Sequence, residues 1–161
     1  MSDDRSNPIE DFDEVEQLLQ DYIDEYQEFL SWIGTDVEDV SAGSLALSIP
    51  YDEKLTNVRP YTDEDVRPDI HGGIAATLMD TAGGFVLRTE LDEPIAVDVA
   101  TINLTVNYLL PATGDLTATA DVVRVGGTIG VSEMTVESTT PDGETREVAT
   151  GQGAYRIFHQ D

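Results

Sequence analysis

The chain has 161 residues, 40% of them hydrophobic, which is enough for one domain with a core of its own. Acidic residues outnumber basic ones 33 to 8, giving a formal net charge of −25, and Lys54 is the only lysine. Such a charge repels nucleic acid and anionic membrane surfaces, and the absence of cysteine removes disulfides, thiolate metal sites and cysteine nucleophiles.

The acids are spread along the whole chain above a persisting core pattern, so they point to a folded protein suited to molar salt, where the screening length falls to about 3 Å. No apolar run approaches the ~20 residues of a membrane span, and the start, Met1 to Arg5, lacks an apolar signal core. The expected location is the cytoplasm, with neither membrane nor nucleic acid as partner.

In chain order, residues 1–8 read as a disordered lead. Phe12, Val15, Leu19, Tyr22, Tyr26, Phe29 and Ile33 then recur at alternating steps of three and four, which predicts an amphipathic helix over 9–34 ended by Gly34. The aromatic stripe reads as packing. Ser44 to Pro50 alternates as a strand that stops at proline. A long polar loop over 51–70 follows, of a length common in lids and binding loops. The next helix, about Gly73 to Thr89, is rich in alanine and glycine and almost free of charge until Arg88, so it is expected to be wrapped by sheet. After Pro94 the pattern is β throughout, with strands over 95–110, 114–125, 128–139 and 144–158 separated by turn residues. They read as an antiparallel meander. This order predicts an α+β domain in which one antiparallel sheet curls around one central helix, with an extra N-terminal amphipathic helix.

The start of the central helix carries the chemistry. Gly72 and Gly73 have no β-carbon, so a ligand can approach their backbone N–H groups, and a helix start leaves such groups unpaired and electropositive. Asp80 follows among Leu78, Met79 and Ala82, where an acid can act as a base or a nucleophile. Eight positions separate Gly72 from Asp80, about 12 Å of helix rise, too far for one carbonyl group to touch both. If both act on one substrate, the glycine N–H and the carboxylate come from two copies of the helix across a two-fold axis. The motif therefore predicts a homodimer, and leaves open whether dimers pair further into a homotetramer.

Other residues have ordinary readings. Thr101 is a β-branched residue in a strand, and Arg124 a strand-end charge that could pair with a neighbouring acid. His159, near the terminus, reads as inert. No His, Asp or Glu cluster has metal-ligand spacing, so no metal is expected. Gly126-Gly127 is not followed by the helix and Lys-Ser/Thr of a phosphate loop.

Four segments in order, His71-Gly72-Gly73 with Asp80, Thr101 to Ala112, Val122 to Thr128, and Ala149 to Tyr155, resemble the hotdog-fold acyl-CoA thioesterases, within them the PaaI-like group, over about 41–158. The resemblance implies a hotdog domain over 35–161 whose sites lie at a dimer interface, a small or medium acyl-CoA as substrate, with aryl-acyl and short-chain thioesters as the candidates, and no further cofactor. By position, Gly72 resembles the glycine whose N–H polarises the thioester carbonyl, and Asp80 the acid that attacks it or activates water. Thr101 stands where a Ser or Thr orients that water, and His71 resembles a scaffold for the turn. Asn57 stands for the polar residue upstream of the turn, though it lies 14 positions before His71, further than the family pattern. Gly73 and Tyr108 are placed at the substrate. Arg124, Val125, Gly126, Gly127 and Thr128 resemble the turn that contacts the CoA nucleotide, where an arginine can pair with phosphate. The other readings of this pattern are a non-catalytic acyl-CoA-binding hotdog module and a hotdog dehydratase or hydratase. A dehydratase needs a catalytic histidine working with an acid, and here the histidine directly precedes the glycine turn.

Overall fold

The computed structural model describes residues 11–57 and 66–159. The lead at 1–8 and the middle of the polar loop lie outside these residues. The elements are α1 (Phe12–Tyr26), α2 (Glu28–Trp32), β1 (Asp36–Ser41), β2 (Ser44–Ile49), a 3-10 turn (Glu53–Leu55), α3 (Gly72–Arg88), β3 (Asp98–Tyr108), β4 (Asp115–Val125), β5 (Ile129–Thr139) and β6 (Thr145–Phe158). The predicted single N-terminal helix is two. Asp11 caps α1 by accepting from the N–H groups of Asp13 and Glu14, and the helix stops at Gln27, whose backbone leaves helical geometry. That break rotates the apolar stripe: Val15, Leu19, Ile23, Leu30 and Ile33 are buried, while Tyr26 and Phe29 are exposed.

The six strands form one antiparallel sheet in the order β1-β2-β4-β5-β6-β3. Strand β1, which sequence patterning did not single out, pairs with β2 through a tight turn in which Gly43 has φ of 72°. Only β4, β5 and β6 form a meander. Strand β3 pairs with β6 at the far edge, so the chain must return past two strands to place β4 beside β2. Residues 109–114 make that return, about 14 Å across three strand spacings, within the reach of six extended residues. They pass the start of α3, where the Ile70 N–H donates to the Ala112 carbonyl at 2.8 Å.

Helix α3 lies against one face of the sheet, contacting β2 to β6, in the expected hotdog arrangement. The strand positions that alternate toward it, Leu116, Ala118 and Ala120 on β4 and Met134 and Val136 on β5, are buried with Leu78, Met79, Ala82 and Val86 of α3 in one core. Small residues on both sides let the helix approach closely. Strand β3 is the exception. It is exposed along most of its length, including Ile102 and Tyr108, and one of its edges has no strand beside it among the described residues.

Candidate active site

The turn before α3 is built by its own side chains and by two neighbouring segments. The His71 N–H donates to the Leu55 carbonyl at 2.8 Å, and Thr56 bridges Ile70, so the two ends of the polar loop are pinched together at the helix start. His71 Nδ1 caps the helix by accepting from the Gly73 N–H at 2.9 Å. The expectation that both glycine N–H groups face a ligand is therefore corrected at Gly73, whose donor is occupied. The Gly72 N–H has no acceptor among the described residues. Tyr108 holds this glycine: its hydroxyl donates to the Gly72 carbonyl at 2.8 Å, and a β-carbon on Gly72 would lie 3.2 Å from its ring. Asn57 reaches the same place in spite of its 14-residue separation from His71, because the loop closes back on itself. Its N–H donates to the Asp69 carbonyl at 2.8 Å, and Asn57, Asp69, Gly72 and Tyr108 line one cavity of ~300 Å3 with residues 109–112.

Two turns further along α3 is a second cavity of ~260 Å3, lined by Asp80, Gly84, Arg88, Thr101 and Tyr155 of the sheet-and-helix body and by Tyr22, Gln27 and Leu30 of the N-terminal helices. Asp80 is half-buried, and its Oδ1 accepts the Thr101 hydroxyl at 2.8 Å. Tyr155 is 1% exposed and donates to the Asp80 backbone carbonyl at 3.1 Å, which fixes the helix turn that carries the carboxylate. Burial, with the nearby Asp80 charge adding to it, raises the Tyr155 phenol well above its ordinary range and keeps it a donor. Room for it comes from Gly83, where a β-carbon would overlap the Tyr155 hydroxyl.

A β-bulge makes β3 serve both cavities. Thr101 and Tyr108 are seven positions apart, so in a regular strand they would point to opposite faces. The register with β6 shifts between Thr101 and Asn103, which inserts Ile102 and reverses the phase. Val99 and Thr101 face α3 before the bulge, and Leu104, Val106 and Tyr108 face it after.

Gly72 and Asp80 thus line separate cavities of one chain. The turn from Arg124 to Thr128 lines neither. It sits at the other end of α3, where Gly130 packs on Leu87, and Arg124 is exposed with no acid paired to it among the described residues. His159 is tied to this turn through a 2.6 Å contact between Nε2 and the Gly127 carbonyl, so it has a bonded place. Sequence reading passed over Tyr22, Gln27, Arg88 and Tyr155. Tyr22 belongs to the stripe read as packing, and it does pack on Phe85 with ring centres 6.2 Å apart, yet it also faces the Asp80 cavity. A visible signal existed for Arg88, one of two charged residues in α3, the other being Asp80. It is buried, with Nη1 donating to the carbonyls of Pro94 at 2.6 Å and Val97 at 2.8 Å. Burial pulls its guanidinium below the ordinary arginine value, opposed by Tyr22 and Asp98. Among the described residues no three His, Cys, Asp or Glu side chains stand together as metal ligands, and no helix is long and apolar enough to cross a membrane.

Comparisons with known proteins agree with this architecture. The family model described as Thioesterase superfamily matches residues 68–144, which span α3 and strands β3 to β5. A Halobacterium salinarum protein provisionally named an esterase is 51% identical over 153 residues, covering 94% of this chain and 97% of its own length. A second such protein, from Saccharolobus solfataricus, is 27% identical over 95% of this chain and 89% of its own. Among solved structures, a thioesterase family protein from Silicibacter pomeroyi superposes with a TM-score of 0.73 at 25% identity, covering 91% of this chain and 98% of that one. A Haemophilus influenzae thioesterase shares the fold at TM-score 0.70 and 16% identity, over 89% and 90% of the two chains. Matched at 51% identity along nearly its whole length and by the family model across its central helix and strands, the chain belongs to the thioesterase superfamily.

Proposed function

We propose that the chain is an acyl-CoA thioesterase of the PaaI-like group, acting on a small or medium acyl chain as a homodimer in which each site takes Gly72 from one subunit and Asp80 from the other. The observation that carries this reading is the pair of incomplete half-sites: an open Gly72 N–H in one cavity and a hydroxyl-anchored Asp80 carboxylate in the other. Dimerisation is supported by β3, an 11-residue edge strand with exposed apolar side chains and one side unpaired among the described residues, which a second copy can extend while bringing the two α3 helices together.

In this assembly the Gly72 N–H donates to the thioester oxygen as it becomes an oxyanion, an interaction typically worth ~3 kcal/mol. Tyr108 holds the peptide that carries that donor. The partner's carboxylate, oriented by Thr101, either removes a proton from water that adds to the carbonyl carbon, or adds itself and forms an anhydride that water then cleaves. Both routes break the C–S bond and release CoA as the thiol. The Arg124 to Thr128 turn, exposed at the other end of α3, is the proposed contact for the CoA nucleotide. Release of free thiol from a panel of acyl-CoAs at molar salt tests the activity. Asp80→Asn is expected to lower turnover by at least about a thousandfold, and full turnover in that variant would refute both routes. A single-subunit species in sedimentation at working concentration would refute the shared site.

A further inference from the structure

Arg88 lines the cavity beside Asp80, and three features there lack an explanation within the fold. First, the chain carries 33 acidic residues, yet its buried guanidinium forms no direct ion pair among the described residues, and the Asp98 charge only partly offsets its burial. A buried cation without an anion is strongly destabilising. Second, Nη1 is used by the Pro94 and Val97 carbonyls, while Nε is buried without any acceptor and Nη2 has none among the described residues. The Nε/Nη2 side is the edge of the guanidinium that matches a carboxylate through two parallel hydrogen bonds. Third, Gly84 lies between Asp80 and Arg88 on the cavity wall, and packing does not require a glycine there: a β-carbon would sit no closer than 3.5 Å to the Tyr155 ring. Its bareness leaves the floor between the two charged groups open. A further donor faces the same space, since Gln27 donates to the Tyr22 oxygen at 2.8 Å and leaves the Tyr22 O–H free to donate into the cavity.

We propose that this cavity receives an acyl chain ending in a carboxylate, and that Arg88, assisted by Tyr22, is the residue that selects it. The substrate class is then the CoA thioester of a short or medium dicarboxylic acid, with the thioester carbon at Asp80 and the free carboxylate at Arg88, eight helix positions or about 12 Å of rise away. The inference rests on the thioesterase reading, and hydrolysis yields the free dicarboxylate and CoA thiol.

The test compares adipyl-CoA with hexanoyl-CoA, which have the same chain length and differ in the terminal carboxylate, by thiol release. The wild-type protein is expected to favour adipyl-CoA at least about tenfold in kcat/KM, as a charge-assisted pair provides. Adipate is expected to inhibit competitively at concentrations where hexanoate does not. Arg88→Met lowers the adipyl-to-hexanoyl ratio by at least about tenfold, and Arg88→Lys, which keeps the charge but not the fork, falls between. Equal use of the two thioesters by the wild type, or an unchanged ratio in Arg88→Met, overturns the proposal and leaves the thioesterase reading standing. If Arg88→Met does not fold, the wild-type preference and the adipate inhibition decide. If neither thioester is hydrolysed, the thioesterase reading fails instead, and calorimetric binding of adipate against hexanoate judges Arg88 alone, with equal affinities refuting it.

Discussion

Two adjacent glycines of α3 have opposite environments, and replacing each with alanine separates packing from propensity. A β-carbon at Gly83 would overlap the Tyr155 hydroxyl and lie 2.9 Å from Met134 Sδ and from Ser132 Oγ, whereas one at Gly84 meets nothing closer than 3.5 Å. Forcing a methyl group into a filled core costs about 1–3 kcal/mol. Displacing Tyr155 from the Asp80 carbonyl adds about 1 kcal/mol, and the higher helix propensity of alanine returns about 1 kcal/mol. Gly83→Ala is therefore destabilised by about 1–3 kcal/mol, which for a chain of this size lowers the unfolding midpoint by about 3–10 °C. Gly84→Ala keeps the propensity gain without the clash and raises the midpoint by about 1–4 °C. Circular dichroism melts of both variants in molar potassium chloride measure the difference. Shifts of the same sign in the two variants would show that the Tyr155 contact does not govern this part of the helix.

Two further outcomes follow from the tyrosines at the half-sites. Tyr108→Phe keeps the ring against Gly72 but removes the hydroxyl that donates to its carbonyl, so kcat/KM falls about fivefold to tenfold while the melting midpoint of this exposed side chain scarcely moves; an unchanged kcat/KM would detach Tyr108 from the positioning of the amide. Tyr155 is raised above its ordinary value of 10.0, so the folded protein keeps the proton when the unfolded chain has begun to lose it. Its contribution is complete below about pH 10 and is lost as the pH rises further, at about 1.4 kcal/mol per pH unit. Denaturant titrations between about pH 9 and pH 11 should show that slope in the wild type and its loss in Tyr155→Phe, and the same slope in both would place the titration elsewhere.

The central helix and the four long strands were legible from small, mostly uncharged residues on every side of α3, from alternation along β4 and β5, and from the turn residues that bound the strands. Strand order was not, since alternation states which face a residue takes and nothing about its neighbour, and β3 passed to the far edge. The break at Gln27 escaped for a related reason. The three-and-four spacing continues through it, with Tyr26 and Phe29 in phase, while the backbone turns and hands the core to Ile23 and Leu30. At the site, the Gly72 and Asp80 pair stood out as glycines at a helix start and an acid among apolar residues. Arg88 did not, because one arginine near a helix C-terminus has an ordinary explanation in the helix dipole, and only burial without an acid partner distinguishes it.

The bulge at Ile102 explains how one strand presents side chains to both half-sites on the same face. Asp80 and Gly72 lie about 12 Å apart along α3, and β3 runs antiparallel to that direction, meeting Asp80 with Thr101 and Gly72 with Tyr108. The two contacts require an even number of steps if the strand is regular and are seven apart, so one extra residue is needed between them. Without it, a strand that orients Thr101 toward the carboxylate would turn the Tyr108 hydroxyl to the opposite face and leave the Gly72 peptide unheld. The same strand forms the unpaired edge of the sheet. In the proposed dimer, the element that carries both positioning hydroxyls is thus also the element that joins the subunits, so slippage of β3 against β6 would disturb the two half-sites and their pairing together.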